Sequence, residues 1–344
     1  MTEFDRERHI QYFLMNLKKL PRDYIALDSN RLTLVHFSVQ SLELLNFFDT
    51  NADFDKNQII EWIYHLQKKS LNGFRGGTSE ETSHDFPHLA MTYSALSSLI
   101  TLGDDLERID KKKITSYLKQ LQKKDGSFSC VEFGSETDMR FLYCAVAISY
   151  MLNDLSGINL ESAFSYIQSC LSYEGGFSLI PMQESHGGST FCAVASLKLM
   201  GQLERFFEVN VDSKNNLVQW CLSRQIEGLQ GRTNKLEDTC YSFWIGASLN
   251  ILDDAHELLD KCALDDFVHD CQTSLGGFSK LRGGGNSYPD LLHSFYSLCW
   301  LSISSSSCSS EEKSEYSFKL KALNAPLGLP DSQNLKSYLG TRYN

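Results

Sequence analysis

No stretch of this 344-residue chain approaches the roughly 20 consecutive apolar residues that a membrane-spanning helix needs. Its first residues, MTEFDRERH, are charged and lack the apolar core of a secretory signal. Positive charge is in short supply: 32 Lys and Arg stand against 43 Asp and Glu, a net charge of −11. So acidic a chain lacks the basic surface of a general nucleic-acid binder, although a local basic pocket stays open. Period-two alternation is scarce, and no convincing strand emerges. The ten cysteines show no disulfide framework. The expected compartment is therefore the cytoplasm, where thiols stay reduced and a special cysteine is catalytic or metal-bound.

What is present is a repeat. With 42% hydrophobic residues there is ample material for a large core, and it is dealt out in a recurring phrase of helix, then Gly/Phe turn. The phrase reads LQKKSLNGF (66–74), LQKKDGSF (121–128), CLSYEGGF (170–177), CLSRQIEGLQG (221–231) and CQTSLGGF (271–278), and its last glycine recurs about every 50 residues. Each phrase ends an amphipathic helix such as KKKITSYLKQLQKK (111–124). A more apolar helix rich in small residues follows, for example HLAMTYSALSSLITLG (88–103) or DTCYSFWIGASLNIL (238–252). The N-terminal stretch adds one more pair, 6–20 and 31–45. Six outer helices, each followed by an inner one, predict an all-α architecture, an α/α barrel or toroid of six helical hairpins. One domain over 1–344 is expected, with a polar, irregular tail from about residue 304, where SSSSCSSEEKSE begins.

The repeat gives phase. Thr33, His88, Arg140, His186, Asp238, Cys240 and His293 all fall at or near the start of an inner helix. Rotation about one axis would gather them at one mouth, together with the inner helix N-termini, whose unpaired N–H groups and partial positive charge suit a diphosphate. Asp238 and Cys240, with the distant His293, make three ligands, the count of a catalytic zinc site with one position open. A bare Asp-x-Cys is a tiny motif, and an N-capping Asp beside a buried Cys is its ordinary meaning. GRTNK (231–235) places Arg232 and Lys235 just ahead of it; taken alone this is a solvated loop. His186 in ESHGGST (184–190) is, alone, more often structural than functional. GDDLE (103–107) and LDDAHE (252–257) invite a magnesium reading, but both follow the far ends of inner helices and read as solvated loops.

DMRFLYCA (138–145), ESHGGSTFC (184–192), GLQGRTNK…DTCYSFW (228–244) and PDLLHS (289–294), in this order and spacing, resemble the β subunits of the protein prenyltransferases over nearly the whole chain. That resemblance implies an α/α barrel. It implies zinc held by Asp238, Cys240 and His293, and diphosphate held by His186, Arg232, Lys235 and Tyr241. Arg140, Tyr143, Cys192 and Trp244 would line the isoprenoid channel. It also implies a heterodimer with an α subunit made of helical hairpins.

AMTYSALSSL (90–99), DMRFLYCA and HGGSTFC look most like the type I geranylgeranyl class. In that class Thr33 leaves room for a fourth isoprene unit where farnesyl enzymes carry Trp. Lys280 stands in for a magnesium-binding Asp, so magnesium is not expected to be required. His88, Ala90 and Phe141 match residues shaping a pocket for a terminal Leu. The implied substrates are geranylgeranyl diphosphate and C-a-a-X proteins such as Rho-type small GTPases, with no nucleic acid. RGGGN (282–286) is an insertion relative to this pattern, and Tyr296, in the channel, is the farnesyl-type residue. The competing readings are a farnesyl or Rab geranylgeranyl enzyme, a terpene cyclase, which would need acidic groups where Cys240 stands, and a non-catalytic helical scaffold.

Overall fold

The structure, a computed structural model, describes residues 4–68, 73–78, 86–133, 135–283, 288–306 and 320–340. Twelve helices carry the architecture, in chain order α1 (Arg6–Lys18), α2 (Arg31–Leu44), α3 (Asn57–His65), α4 (Leu89–Leu102), α5 (Lys111–Leu121), α6 (Met139–Leu152), α7 (Leu160–Ser169), α8 (Gly187–Leu199), α9 (Ser213–Leu222), α10 (Thr239–Ile251), α11 (Lys261–Asp270) and α12 (Leu291–Ser306). The even-numbered helices form a closed inner ring, each packing on the next and α12 packing back on α2. The odd-numbered helices lie outside.

Burial explains the sorting. In α4, twelve of fourteen residues are buried, so both faces meet protein. In α5 only Ile114, Thr115, Tyr117, Leu118 and Leu121 are buried, while Lys111, Lys112, Lys113 and Lys119 face water. Each buried Leu or Ile contributes about 1.5–3 kcal/mol of transfer free energy, which rewards the amphipathic pattern outside and the apolar one inside.

The repeated phrase is the corner between an outer helix and the next inner one. Phe74, Phe128, Phe177, Leu229 and Phe278 are all fully buried, and each pairs backbone to backbone across its turn, with Gln67, Gln122, Leu171, Gln225 and Gln272 respectively. In three corners the wedge residue donates its backbone N–H to a hydroxyl on the following inner helix: Phe74 to Thr92 (3.1 Å), Phe177 to Thr190 (3.0 Å) and Phe278 to Ser294 (2.8 Å).

The ring closes through His9 on α1. Its Nε2 lies 2.8 Å from Gln272 Oε1, its Nδ1 accepts the Gly277 N–H at 2.8 Å, and its ring stacks on Phe278 at 4.8 Å.

Two expectations need correction. Two short antiparallel pairs exist, Gln67–Lys68 with Gly73–Phe74 and Leu323–Asn324 with Leu329–Pro330. The tail is not irregular throughout: α12 runs to Ser306, residues 307–319 lie outside the described residues, and 320–340 form the second pair plus a helix, Gln333–Leu339. The cause is apolar anchoring beyond the polar run, since Leu327, Leu329, Leu335 and Leu339 are buried. Among the described residues no helix is long and apolar enough to cross a membrane.

Candidate functional site

The inner helices begin at one end of the ring, and their first residues repeat a single device. His88, Asp138, His186 and Asp238 cap α4, α6, α8 and α10, each accepting a backbone N–H two residues on: Ala90 (3.1 Å), Arg140 (2.9 Å), Gly188 (3.0 Å) and Cys240 (2.9 Å). The caps satisfy donors that would otherwise be orphaned, and they fix where the chemistry-bearing side chains point.

Asp238, Cys240 and His293 converge: one ligand atom from each lies within 4.8 Å of the others. His293 Nε2 is 3.2 Å from Asp238 Oδ1, and its Nδ1 is 2.6 Å from Asp290 Oδ2. One carboxylate, one thiol and one imidazole oriented by a second carboxylate form a donor set suited to a metal ion, with the outer partner that metal-ligating histidines usually have. The electrostatics of the cluster favour positive charge. Burial, then Asp238, pushes the Cys240 thiol well up. Burial acts to lower His293, but its bonds to Asp238 and Asp290 outweigh it and raise it to about 9. Burial acts to raise Asp238, yet the His293 and Cys240 hydrogen bonds leave it below its ordinary value.

Beside this cluster are two cavities that share Arg232. One, of about 310 Å³, is lined by Arg232, Lys235, Asp238, Tyr241 and Lys280 among others. The second, of about 250 Å³, is lined by Arg140, Glu184, His186 and Arg232 with Leu179 and Gln183. Lys280 Nζ is 3.5 Å from Asp238 Oδ2, and Arg232 Nη1 is 2.5 Å from Glu184 Oε1. Gly231 must be glycine, because a Cβ there would stand 2.0 Å from Tyr241 Cζ. Tyr241 Oη lies 3.0 Å from His186 Nε2. Since His186 Nδ1 accepts the Gly188 N–H, the neutral ring carries its proton on Nε2 and donates it to Tyr241. The Tyr241 hydroxyl proton is then free to point into the cavity. Burial and Arg232 keep His186 below its ordinary pKa, and burial keeps Tyr241 above its own, so both hold these forms at neutral pH.

Inside the ring an aromatic wall runs from Tyr143 to Phe191 (5.4 Å), Phe191 to Trp244 (5.1 Å) and Trp244 to Tyr296 (4.2 Å), with Cys192 buried on α8. Thr33 sits in the first turn of α2, its hydroxyl 3.5 Å from Met91 Sδ. Phe37, one turn further along, rings Tyr296 at 5.7 Å. His88 packs on Phe141 at 5.7 Å, with Ala90 beside it in sequence. Arg140 is the second residue of α6, its Cζ 5.2 Å from the Phe141 ring centroid. Its side chain is exposed at the mouth, forked on Asp138 (Nη2–Oδ2 2.6 Å) and 3.4 Å from Glu136, in the cavity of His186 and Arg232.

A model of the prenyltransferase alpha-alpha toroid domain matches residues 4–329. The chain belongs to that family. Among relatives, the geranylgeranyl transferase type-1 β subunit of Arabidopsis thaliana is 42% identical, the match covering 86% of this chain and 84% of the relative. The protein of the same name from Dictyostelium discoideum is 39% identical, over 87% and 90%. Among solved structures, Candida albicans protein geranylgeranyltransferase-I complexed with GGPP superposes with a TM-score of 0.84 over the whole of both chains, at 26% identity. A type II terpene cyclase from Scytonema, at 11% identity over 87% of this chain and 97% of its own, shares the toroid fold alone, with a TM-score of 0.53.

In this toroid-family chain the acidic runs lie at the other end of the inner helices. Asp104 accepts the Tyr64 hydroxyl at 2.6 Å, and Asp253 pairs with Lys214 at 2.5 Å. Of the RGGGN insertion only Arg282 and Gly283 are described, and Arg282 bonds Asp270 (3.0 Å) and Glu227. Sequence reasoning missed Asp138, Glu184 and Asp290. Asp138 could have been found from the repeat, since it occupies the cap position of Asp238, and Asp290 from its place three residues before His293 in PDLLHS.

Proposed function

We propose that this chain is the catalytic β subunit of a zinc-dependent protein geranylgeranyltransferase. It would transfer a geranylgeranyl group from geranylgeranyl diphosphate to the cysteine thiol of a C-terminal C-a-a-X sequence, X mostly Leu, on Rho-type small GTPases and similar proteins. It would act in the cytoplasm, as a heterodimer with a prenyltransferase α subunit. The observation that carries this reading is the three-ligand cluster of Asp238, Cys240 and His293 directly beside a cationic cavity at the mouth of an aromatic-walled ring. The names of the type-1 relatives support the choice of lipid.

Asp238, Cys240 and His293 would hold the zinc, which supplies an open position where a substrate thiol loses its proton. The chain's own residues do the rest. Arg232, Lys235 and the Tyr241 hydroxyl, itself polarised by the His186 Nε2 proton, receive the diphosphate and stabilise the charge that grows on it as the C–O bond breaks. Tyr143, Cys192, Trp244, Tyr296 and Thr33 bury the hydrocarbon at about 0.8 kcal/mol per CH₂. Arg140, at the mouth, joins the diphosphate set rather than the hydrocarbon wall. His88, Ala90 and Phe141 would receive the end of the peptide. Lys280 adds a fixed positive charge at the mouth, so activity is expected without added magnesium.

The test uses the chain co-expressed with an α subunit, labelled twenty- and fifteen-carbon donors, and a C-a-a-Leu peptide. Preferred transfer of the twenty-carbon group supports the proposal. Preferred farnesyl transfer overturns the lipid assignment, a strict magnesium requirement overturns the role of Lys280, and no transfer with no zinc retained leaves a scaffold.

A further inference from the structure

The end of the ring opposite the metal cluster is crossed by the segment 320–340, which is fastened to three inner helices. Lys321 Nζ sits between Glu43 Oε1 (2.5 Å) and Asp49 Oδ2 (2.8 Å), just at and beyond the end of α2, and its backbone N–H donates to Leu44 O at 2.9 Å. The Ser302 hydroxyl of α12 donates to Lys321 O at 2.5 Å, and Asn334 Nδ2 donates to Thr101 O of α4 at 2.9 Å. Glu43 is 4% and Lys321 12% exposed in their side chains, so this ion pair is largely shielded from water and costly to break by removing one partner.

Between these anchors the turn 325–328 rises into the ring. The Tyr143 hydroxyl donates to Pro326 O at 3.1 Å and the Tyr93 hydroxyl to Leu327 O at 2.7 Å. Both tyrosines are only the fifth residues of their helices, α6 and α4, so the turn reaches far up from the closed end. Its apex is Gly328. A Cβ built there would meet Phe243 Cζ at 3.5 Å, Tyr93 Oη at 3.7 Å and Tyr143 Oη at 3.9 Å, all ordinary contacts. Phe243 in turn stacks on Tyr296 at 5.0 Å. The bare α-carbon therefore faces the rings that line the interior. Its φ of +63° is a conformation in which glycine is favoured, but no backbone clash demands glycine at this point.

We propose that the turn 325–328 is the end-stop of the isoprenoid chamber and that Gly328 is a specificity-determining residue. The absence of a side chain there preserves the depth that the last isoprene unit occupies. Tyr93 and Tyr143 are positioning residues that hold the stop at its height. This inference rests on reading the ring interior as an isoprenoid chamber. A Leu side chain brings four carbons, close to the five of one isoprene unit, so Gly328→Leu would remove about one unit of depth, and Gly328→Ala a fraction of it.

The experiment measures kcat/KM for geranylgeranyl and farnesyl diphosphate with one peptide, on the same preparation of each variant of the full chain co-expressed with its α subunit. The expected result is a fall on the twenty-carbon donor of a few-fold for Gly328→Ala and on the order of 10²-fold for Gly328→Leu, with the fifteen-carbon donor held within about threefold. Lost folded protein lowers both donors together and leaves their ratio readable. Should Gly328→Leu not fold, Gly328→Ala carries the test. An unchanged ratio in a folded variant, with a wild type that prefers the twenty-carbon donor, overturns the end-stop alone. A wild type that prefers farnesyl diphosphate overturns the proposed lipid, and the end-stop must then appear as exclusion of fifteen carbons in favour of geranyl diphosphate. A wild type that transfers neither overturns both.

Discussion

The Asp290 carboxylate reaches forward one helical turn to His293, Oδ2 to Nδ1 at 2.6 Å, and leaves Nε2 turned toward Asp238 at 3.2 Å. The bond fixes the tautomer in which Nε2 is the ligand atom. Removing it with Asp290→Ala should weaken metal binding by roughly 10–100-fold, the usual effect of losing such a partner, and should lower stability by about 1 kcal/mol, because Asp290 Oδ1 also caps α12 by accepting the His293 N–H at 2.9 Å. Competition against a chelator of known affinity reads this directly, and wild-type affinity in the variant would mean that Asp290 plays no part.

Metal binding should also release protons. Without metal, Cys240 is held as the thiol and His293, raised to about 9, as the imidazolium at pH 7. Both must deprotonate to ligate, so roughly two protons should leave per ion and affinity should climb with pH. Calorimetry in buffers of different ionisation enthalpy counts them. Cys240→Ala should abolish retention of the metal while helical circular dichroism stays near wild type. A proton count near zero, or full metal occupancy in that variant, would contradict the ligand set.

In a ring of six, α2 stands opposite α8, the helix that His186 caps. Thr33→Trp should intrude on lipid arriving from that side. Losing burial of one five-carbon unit costs on the order of 3–4 kcal/mol, and kcat/KM for the twenty-carbon donor should fall on the order of 10²-fold while the fifteen-carbon donor holds. Use of the twenty-carbon donor at wild-type efficiency by the variant would remove Thr33 from the channel.

Acid should open the ring at its seam. Burial drives His9 down to about 4; Gln272 and Asp5 oppose this, while His269 and Arg6 add to it. The unfolded chain takes up this proton near pH 6.5, the native state only near 4. The stability is therefore fully present above about pH 6.5 and is lost as pH falls toward 4, up to about 3 kcal/mol from this residue. His36, lowered to about 3, and His269, lowered to about 4, act in the same direction. Thermal unfolding followed from pH 7 to 4.5 should be flatter in His9→Gln by about one proton. An unchanged slope would place the acid sensitivity elsewhere.

The ring and its chemical mouth were legible because one local motif does two jobs. The Gly/Phe corner is both the visible repeat and the element that sets the start of each inner helix, so counting corners also gave the phase of Asp238, Cys240 and His293. What escaped depended on contacts across the fold. Asp290 caps α12 with one carboxylate oxygen, and only the fold shows the other oxygen on the His293 ring. Arg140 matches a channel position of the related β subunits, and only the fold shows its guanidinium forked on the carboxylate of Asp138, two residues earlier. The ordered end of the chain was hidden behind SSSSCSSEEKSE, since Lys321 finds Glu43 at a separation of 278 residues, and no local pattern encodes that.

The seam at His9 bears on how the chain is made. His9 and Gln272 are 263 residues apart, so the first and sixth hairpins meet only after almost the whole polypeptide has been synthesised. Earlier hairpins can stack in order as they leave the ribosome, yet the apolar flank of α2 that later receives α12 stays uncovered meanwhile. Contacts this distant in sequence make closure late and slow, and they prolong the interval in which a sticky edge is exposed. A nascent chain paused after the fifth hairpin should therefore recruit chaperones that a released, full-length chain does not.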